Sequence, residues 1–561
     1  MLIEVIDQWA LTCPERVAHQ YREQSLTYSD LKTNSDALAL WLHEALEGDK
    51  VDSVNKAPIV VYGHKENEML VAFLACAKAG HAYVPVDTSV PLERVRQILE
   101  ASGTSLLLSP QRVPEELKPA GVTIQENFKA QLNTKDHTET GCSSNFLAPY
   151  LGQTPDPDWR VSEDEVYYII FTSGSTGKPK GVQITLKALE SYLNWVNPTY
   201  GPEKMKEVFL NQAPFSFDLS VMDLYMSLSN GGTLWSIDKQ QIANARELFE
   251  SFARSNVSFW VSTPSFADIC LMDKSFNQEL LPNIKRFLFC GEVLSNDTAS
   301  KLRERFPQAL VENLYGPTEA TVAVTTITIT PEVLERYNPL PVGRVKRDAQ
   351  ILICDTEALN EAFTQEEQIT KAQEGQQQDI VESLRRLSCP PQSLPEGTRG
   401  EIVIAGPNVS VGYLNRPEQT QKSFFTWCDD QGKEWQAYRT GDAGILEEGM
   451  LFFFGRLDFQ VKLHGYRIEL GDIEENLRKV PGVENAVVLP IERRGKVDYL
   501  HAFITTSEPV KESFQMSQHL REELHKTLPD YMLPRRFTFL ETMPMTPNGK
   551  VDRRALGGGA R

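Results

Sequence analysis

Along residues 1 to about 110, apolar positions recur in two alternating rhythms. The run from Leu26 to Leu31 leads into an amphipathic pattern that predicts a helix ending near Ala45, and the unbroken block Ile59-Val60-Val61-Tyr62 predicts a strand. Met69 to Ala79 is a strongly apolar helical pattern stopped by Gly80, after which Val84-Pro85-Val86-Asp87 begins the next unit. Strands alternating with helices in this way predict an α/β fold with a largely parallel sheet.

The alternation resumes further on, with strands at Val166 to Ile170, Val208 to Leu210, Val257 to Val261 and Arg286 to Cys290, and helices at Leu186 to Val196 and Val221 to Leu228. Two stretches interrupt it. Residues 111 to about 162 are polar and rich in Pro, Asn, Asp and Thr, which predicts a long surface connection. Residues 356 to 396 are rich in Gln and Glu and end in Cys389-Pro390-Pro391, a composition suited to a surface excursion, partly helical or disordered. The last hundred or so residues read as a separate small α/β unit, with helices at Ile473 to Val480 and His519 to Leu528 and strands at Ala486 to Leu489 and Leu500 to Ile504.

Composition narrows the classes. A chain of 561 residues, 41% hydrophobic, can bury a large core and is expected to divide into more than one domain. A formal charge of −19 argues against general nucleic-acid binding or retention on anionic membranes. The eight cysteines are scattered without a C-x-x-C pair, which predicts reduced thiols in a cytoplasmic compartment and no zinc site. No apolar run approaches bilayer length, so membrane insertion is not expected.

Four clusters carry candidate chemistry. Phe171 to Gly181 follows an apolar strand and combines Gly174, Gly177 and Gly181 with Thr172, Ser173, Ser175, Thr176, Lys178 and Lys180, a donor-rich turn suited to phosphate. It departs from the Walker pattern, because Lys178 precedes Pro179 rather than Ser or Thr. Asp218 is a lone carboxylate between Phe217 and Leu219; the pattern fits a helix N-cap and an ammonium counter-ion in an apolar pocket equally well. Asn313 to Thr321 offers an aromatic ring, a hydroxyl and Glu319 for a base and a divalent cation, although a capped turn with a solvent-facing Glu would look the same. Asp442, beside Gly441, is placed to accept from a sugar diol or simply to make a turn. Near the end, Lys550 rides on an Asn548-Gly549 turn.

In this order the clusters resemble the adenylate-forming superfamily, which includes amino-acid-activating domains of peptide synthetases, acyl-CoA synthetases and luciferases. Six motifs agree: 171 to 181, Phe217-Asp218, 313 to 321, 438 to 442, 455 to 469 and 547 to 553. The closer similarity, carried by Phe215 to Tyr225, Phe289 to Leu294 and Gly455 to Leu470, is to stand-alone ligases that load D-alanine onto a carrier protein. The resemblance implies a multi-sheet α/β adenylation domain over residues 1–456 and a small mobile α/β domain over 457–561.

The resemblance also implies roles. Thr172 to Lys180 would hold the ATP phosphates, Glu319 and Thr318 would place Mg2+, and Tyr315 and Gly316 would meet adenine with Asn313 at its polar edge. Asp442, with Arg456, would take the ribose, and Lys550 would bridge the substrate carboxylate and α-phosphate as the catalytic residue. Asp458 falls at the hinge, and Gly465 lines the pantetheine tunnel. Asp218 would pair with the substrate amino group. Leu219, Met222, Val261, Leu288, Cys290, Leu314, Val322 and Ala323 would line the pocket, so the expected substrate is small and apolar: D-alanine, or alternatively L-proline. The implied partner is a phosphopantetheinylated carrier protein. An acyl-CoA synthetase and a non-catalytic nucleotide-binding regulator are the readings from other classes.

Overall fold

The computed structural model describes residues 1–46, 56–118, 121–129, 146–174, 178–373, 392–458, 460–463, 465–493, 496–545 and 551–558. Two compact units emerge. One comprises Met1–Asp87, Ser102–Ile170 and Gly181–Gly455; the other comprises Thr88–Ala101, Phe171–Lys180 and Arg456–Arg561.

The larger unit is built on parallel strands that are predominantly apolar, as burial on both faces favours. Ile59–Gly63 and Tyr83–Asp87 are buried along their whole length and pair in parallel, residue for residue. They belong to a six-stranded sheet in the order Thr123–Gln125, Leu106–Leu108, Ile59–Gly63, Tyr83–Asp87, Val166–Thr172, Lys180–Thr185. A nine-stranded sheet has six parallel strands at its centre, from Leu310–Tyr315 through Arg286–Phe289, Phe259–Ser262, Val208–Asn211 and Thr233–Ser236 to Val17–Tyr21. Antiparallel strands close both its edges. A five-stranded sheet, formed by Gln350–Cys354, Gly400–Ala405, Glu434–Glu447, Phe424–Cys428 and Met450–Arg456, completes the unit.

The smaller unit contains the hairpin Gln460–Leu463/Tyr466–Glu469 and a three-stranded sheet, Val483–Arg493, Lys496–Thr506 and Arg536–Leu540. Helices Leu470–Arg478 and Ser513–His525 cover it, with Ile473, Leu477, Leu520 and Leu524 buried. Among the described residues, no helix is long and apolar enough to cross a membrane.

Both polar stretches turn out to be partly structural. Within 111–162, Thr123–Gln125 extends the six-stranded sheet in parallel with Leu106–Leu108, and Phe128 and Val161 are core residues. A three-residue strand is too short to show periodicity. The start of 356–396 is the helix Thr356–Gln373, whose Leu359 and Phe363 are buried; the Phe363 ring meets Phe425 edge-on at 5.4 Å.

One buried cation ties three helices of the larger unit together. Lys78, the last residue of helix Asn67–Lys78, is fully buried and donates to Asp7 Oδ1 at 2.7 Å, Asp36 Oδ1 at 2.5 Å and Ser35 Oγ at 3.0 Å. Asp7 lies on helix Leu2–Thr12 and Asp36 on helix Tyr28–Leu46. Replacing Lys78 with Met strands two carboxylates, but Arg160 still reaches Asp7 and Lys32 still reaches Asp36. The expected loss is therefore about 3 kcal/mol, the low end for a broken buried pair, read as a lower midpoint in urea unfolding.

Candidate active site

Apart from Asp442, the candidate residues of the larger unit gather toward the carboxyl ends of parallel strands, where open α/β sheets bind ligands. Strand Leu310–Tyr315 sorts them by its alternation. Val261 stands beside Leu288 and Leu288 beside Glu312 in register, so Leu314 and Cys290, two residues on, share their face. All four apolar residues are buried in the core cluster that also contains Leu219, Met222, Val322 and Ala323. Asn313 and Tyr315 point to the other face. Asn313 Nδ2 donates to the Pro341 carbonyl at 2.8 Å, and the Tyr315 ring lies 5.8 Å from that of Phe453.

Asp218 occupies the N-cap position of helix Leu219–Ser229, but its side chain makes no capping hydrogen bond. It accepts instead from Thr318 Oγ1 at 2.7 Å. The carboxylate is aimed away from its own helix, at the turn that follows strand Leu310–Tyr315. Nearby, Tyr168 and Tyr192 carry buried hydroxyls that find no hydrogen-bond partner among the described residues. Burial pushes both phenols well up, and the charge of Asp218 adds to the effect at Tyr168.

The turn itself is strained. Thr321 and Val322 hold φ of +54° and +69°, a region that β-branched residues rarely enter, and each costs about 1–3 kcal/mol. Local bonds hold them there. Ala323 N donates to Thr321 O at 2.8 Å across Val322, Thr321 Oγ1 donates to Asn408 O at 2.7 Å, and Asn408 Nδ2 donates to Ala320 O at 2.9 Å. The Cys290 thiol lies 3.6 Å from the Val322 carbonyl, and Val322 itself is buried in the apolar cluster. Gly316 is required by close approach: a Cβ there would stand 2.5 Å from Ala323 Cα.

Glu319, on the same turn, is fully buried rather than solvent-facing, and its Oε1 accepts from the Tyr413 hydroxyl at 2.8 Å. Ser410 N binds the Glu319 carbonyl at 2.8 Å, so the segment 408–413 grips the turn from the five-stranded side. Asp442 is also buried, and it lies inside the long strand Glu434–Glu447 rather than in a turn. Its Oδ2 accepts from the Tyr315 hydroxyl at 2.6 Å. Thr440 and Glu401 fix the backbone leading into it by accepting from Asp442 N and Gly441 N.

Within the smaller unit, the ends of the glycine-rich loop contact the hairpin. Ser173 Oγ donates to Arg467 O at 2.8 Å and accepts from Glu469 N at 3.2 Å, and Lys180 Nζ is 3.8 Å from Glu469 Oε1. Burial raises the Glu469 carboxyl against the pull of Lys180 and Arg467. A Cβ on Gly174 would collide with Lys178 O at 2.1 Å. The Thr172 hydroxyl is buried and finds no hydrogen-bond partner among the described residues, and Lys178 is exposed. Arg456 Nε binds Asp458 Oδ1 at 2.9 Å; burial opposes ionisation of Asp458, but this pair outweighs it and holds the carboxyl below the usual range. Gly465 has φ of +84° at the hairpin turn, which by itself requires glycine. Ser175, Thr176, Gly177 and Lys550 lie outside the described residues.

The family model described as AMP-binding enzyme matches residues 6–367, and that of the AMP-binding enzyme C-terminal domain matches residues 472–550. The chain belongs to the AMP-binding enzyme family. It is 47% identical to a protein of Bacillus cereus (strain G9842), over 99% of this chain and 98% of the relative, and equally to one of Bacillus mycoides (strain KBAB4) over the same shares. Both relatives are named D-alanine--D-alanyl carrier protein ligase. Its fold is similar to that of the Vibrio cholerae adenylation domain AlmE in complex with glycyl-adenosine-5'-phosphate, with a TM-score of 0.73 and 22% identity, covering 100% of this chain and 98% of the other.

For this AMP-binding enzyme, Tyr413, Asn408 and Tyr168 escaped the reading of the sequence. Tyr413 lies 94 positions from its partner Glu319, and no local spacing marks such a pair. Gly316→Ala tests the strained turn. The added methyl must displace backbone rather than a flexible side chain, so the expected cost is about 1–3 kcal/mol, measured as a lower unfolding midpoint.

Proposed function

We propose that the protein activates D-alanine with ATP, in the cytoplasm, and transfers it to the phosphopantetheine thiol of a carrier protein. The observation that carries this reading is the 47% identity, across 99% of the chain, to ligases named for that reaction. The geometry supports it. A half-buried aspartate beside a largely apolar lining favours an ammonium group on a small aliphatic acid, and this weighs against fatty or aryl acids. The relatives weigh for D-alanine over L-proline.

In the first half-reaction a carboxylate oxygen of D-alanine attacks the α-phosphorus of ATP, a P–O bond forms, and pyrophosphate leaves. Asp218 pairs with the ammonium group, held in place by Thr318. Leu219, Met222, Val261, Leu288, Cys290, Leu314 and Val322 enclose the methyl group. On the opposite face of the strand, Tyr315 and Asn313 meet the adenine, and Asp442, oriented by the Tyr315 hydroxyl, accepts from the ribose. Thr172 to Lys180 hold the phosphates. Positioning and charge stabilisation suffice, with no covalent enzyme intermediate. In the second half-reaction the carrier thiol attacks the acyl carbon, the thioester forms, and AMP leaves.

The donors present suit Mg2+, which favours oxygen ligands and uses one or two carboxylates together with substrate phosphates. Glu319 is oriented by Tyr413, and Thr318 donates its proton to Asp218 while its oxygen lone pairs remain able to face a cation. Bound there, the ion would neutralise phosphate charge as the leaving group departs.

Exchange of labelled pyrophosphate into ATP, with D-alanine, L-alanine and L-proline in parallel, tests the substrate. D-alanine should support the fastest exchange; faster exchange with L-proline, or none with any of the three, would overturn the assignment. Loading should occur on a phosphopantetheinylated carrier protein and not on free coenzyme A. Lys550→Ala should abolish exchange but retain much of the transfer from preformed adenylate, and equal loss of both half-reactions would contradict a rotating small domain.

A further inference from the structure

Lys65 belongs to none of the clusters above, yet its ammonium group is fully buried. It follows strand Ile59–Gly63 of the six-stranded sheet and reaches the segment that leaves the nine-stranded sheet at Asn211. It donates to Asn211 Oδ1 and to the Ala213 carbonyl, and it sits 4.6 Å from the centre of the Phe215 ring. These contacts recur at every second residue. One face of the segment 211–215 is thus held by a single cation.

That segment delivers Asp218. On its far side Asn211 Nδ2 donates to Asp223 Oδ1 at 2.9 Å, and Asp223 is a fully buried residue of the helix that Asp218 begins. Ser236 Oγ, from the neighbouring strand, donates to Asn211 Oδ1 at 2.7 Å and fixes the amide's orientation. Asn211 therefore joins a buried cation to a buried carboxylate, and the chain between Asn211 and Asp223 is fixed at its start, its middle and its end. Asp218 makes no cap bond to its own helix and accepts from Thr318, so the course of this backbone sets where its carboxylate starts. Burial draws Lys65 down to about 8, with the charge of Asp223 opposing the shift.

We infer that Lys65 is a positioning residue for amino-acid recognition, holding the Asn211–Phe215 segment so that Asp218 meets the substrate ammonium group. The inference rests on the assignment of Asp218 as that counter-ion.

Two variants separate positioning from simple support of the fold. Lys65→Met removes the grip and leaves Asp223 buried without its compensating charge. Burial raises the Asp223 carboxyl well above its ordinary range, against the pull of Lys65 and Asn211, so Lys65→Met combined with Asp223→Asn removes the ammonium group and the carboxyl it opposes together, without restoring the grip on the Ala213 carbonyl. In pyrophosphate exchange, both variants should raise the KM for D-alanine roughly tenfold or more and change the KM for ATP by less than about twofold, as expected of a displaced binding group. The melting temperature should fall in the single variant and recover in the double. An unchanged KM for D-alanine in either variant, a matching rise in the KM for ATP, or recovery of the D-alanine KM together with stability would overturn the role. Absence of amino-acid-dependent exchange in the unaltered protein would instead remove the reading on which it rests.

Discussion

Two β-branched residues held at positive φ, Thr321 and Val322, are the constraint around which the site is arranged. Relaxing them would withdraw Val322 from the apolar cluster, release its carbonyl from Cys290, and shift Thr318 and Glu319, which lie only a few residues earlier. Several bonds worth about 1 kcal/mol each oppose that relaxation, and Gly316 leaves just enough room for the turn to fold back on its own strand. The polar groups of the turn are consequently fixed by the fold itself.

Two buried lysines illustrate how differently a buried cation can be accommodated. Lys78 ends a helix, where the macrodipole favours positive charge, and has two carboxylates within hydrogen-bond reach. Lys65 is surrounded by an amide, a carbonyl and an aromatic face, and Asn211 stands as a hydrogen-bonding bridge between it and Asp223. The first arrangement joins helices. The second makes a loop's path depend on one ammonium group, a stringent device because buried charge tolerates poor geometry badly.

Much of this was legible in the sequence, for reasons that are physical. Ile59–Gly63 and Val208–Asn211 announce themselves as unbroken apolar blocks because both faces of a parallel strand are covered. The glycine-rich loop and Gly316 mark places where a side chain would collide with backbone. Asp218 is ambiguous in the sequence because the N-cap and counter-ion readings share one pattern; its carboxylate makes no cap bond and accepts from Thr318 instead. Glu319–Tyr413 and Lys65–Asn211 left no trace, since each partner arrives from a different sheet. The glycine beside Asp442 leaves a sugar-diol acceptor and a turn residue both open in the sequence; the turn is excluded because Gly441, at φ +70°, lies within a continuing strand.

The alternation along Leu310–Tyr315 has an evolutionary corollary. Asn313 and Tyr315 face one way and Leu314 the other, so the same few residues serve two compartments through one backbone. Either compartment can be remodelled by side-chain replacement without disturbing its neighbour. Inserting or deleting a single residue would exchange the contents of both at once. The segment is therefore free to diversify in composition and fixed in length.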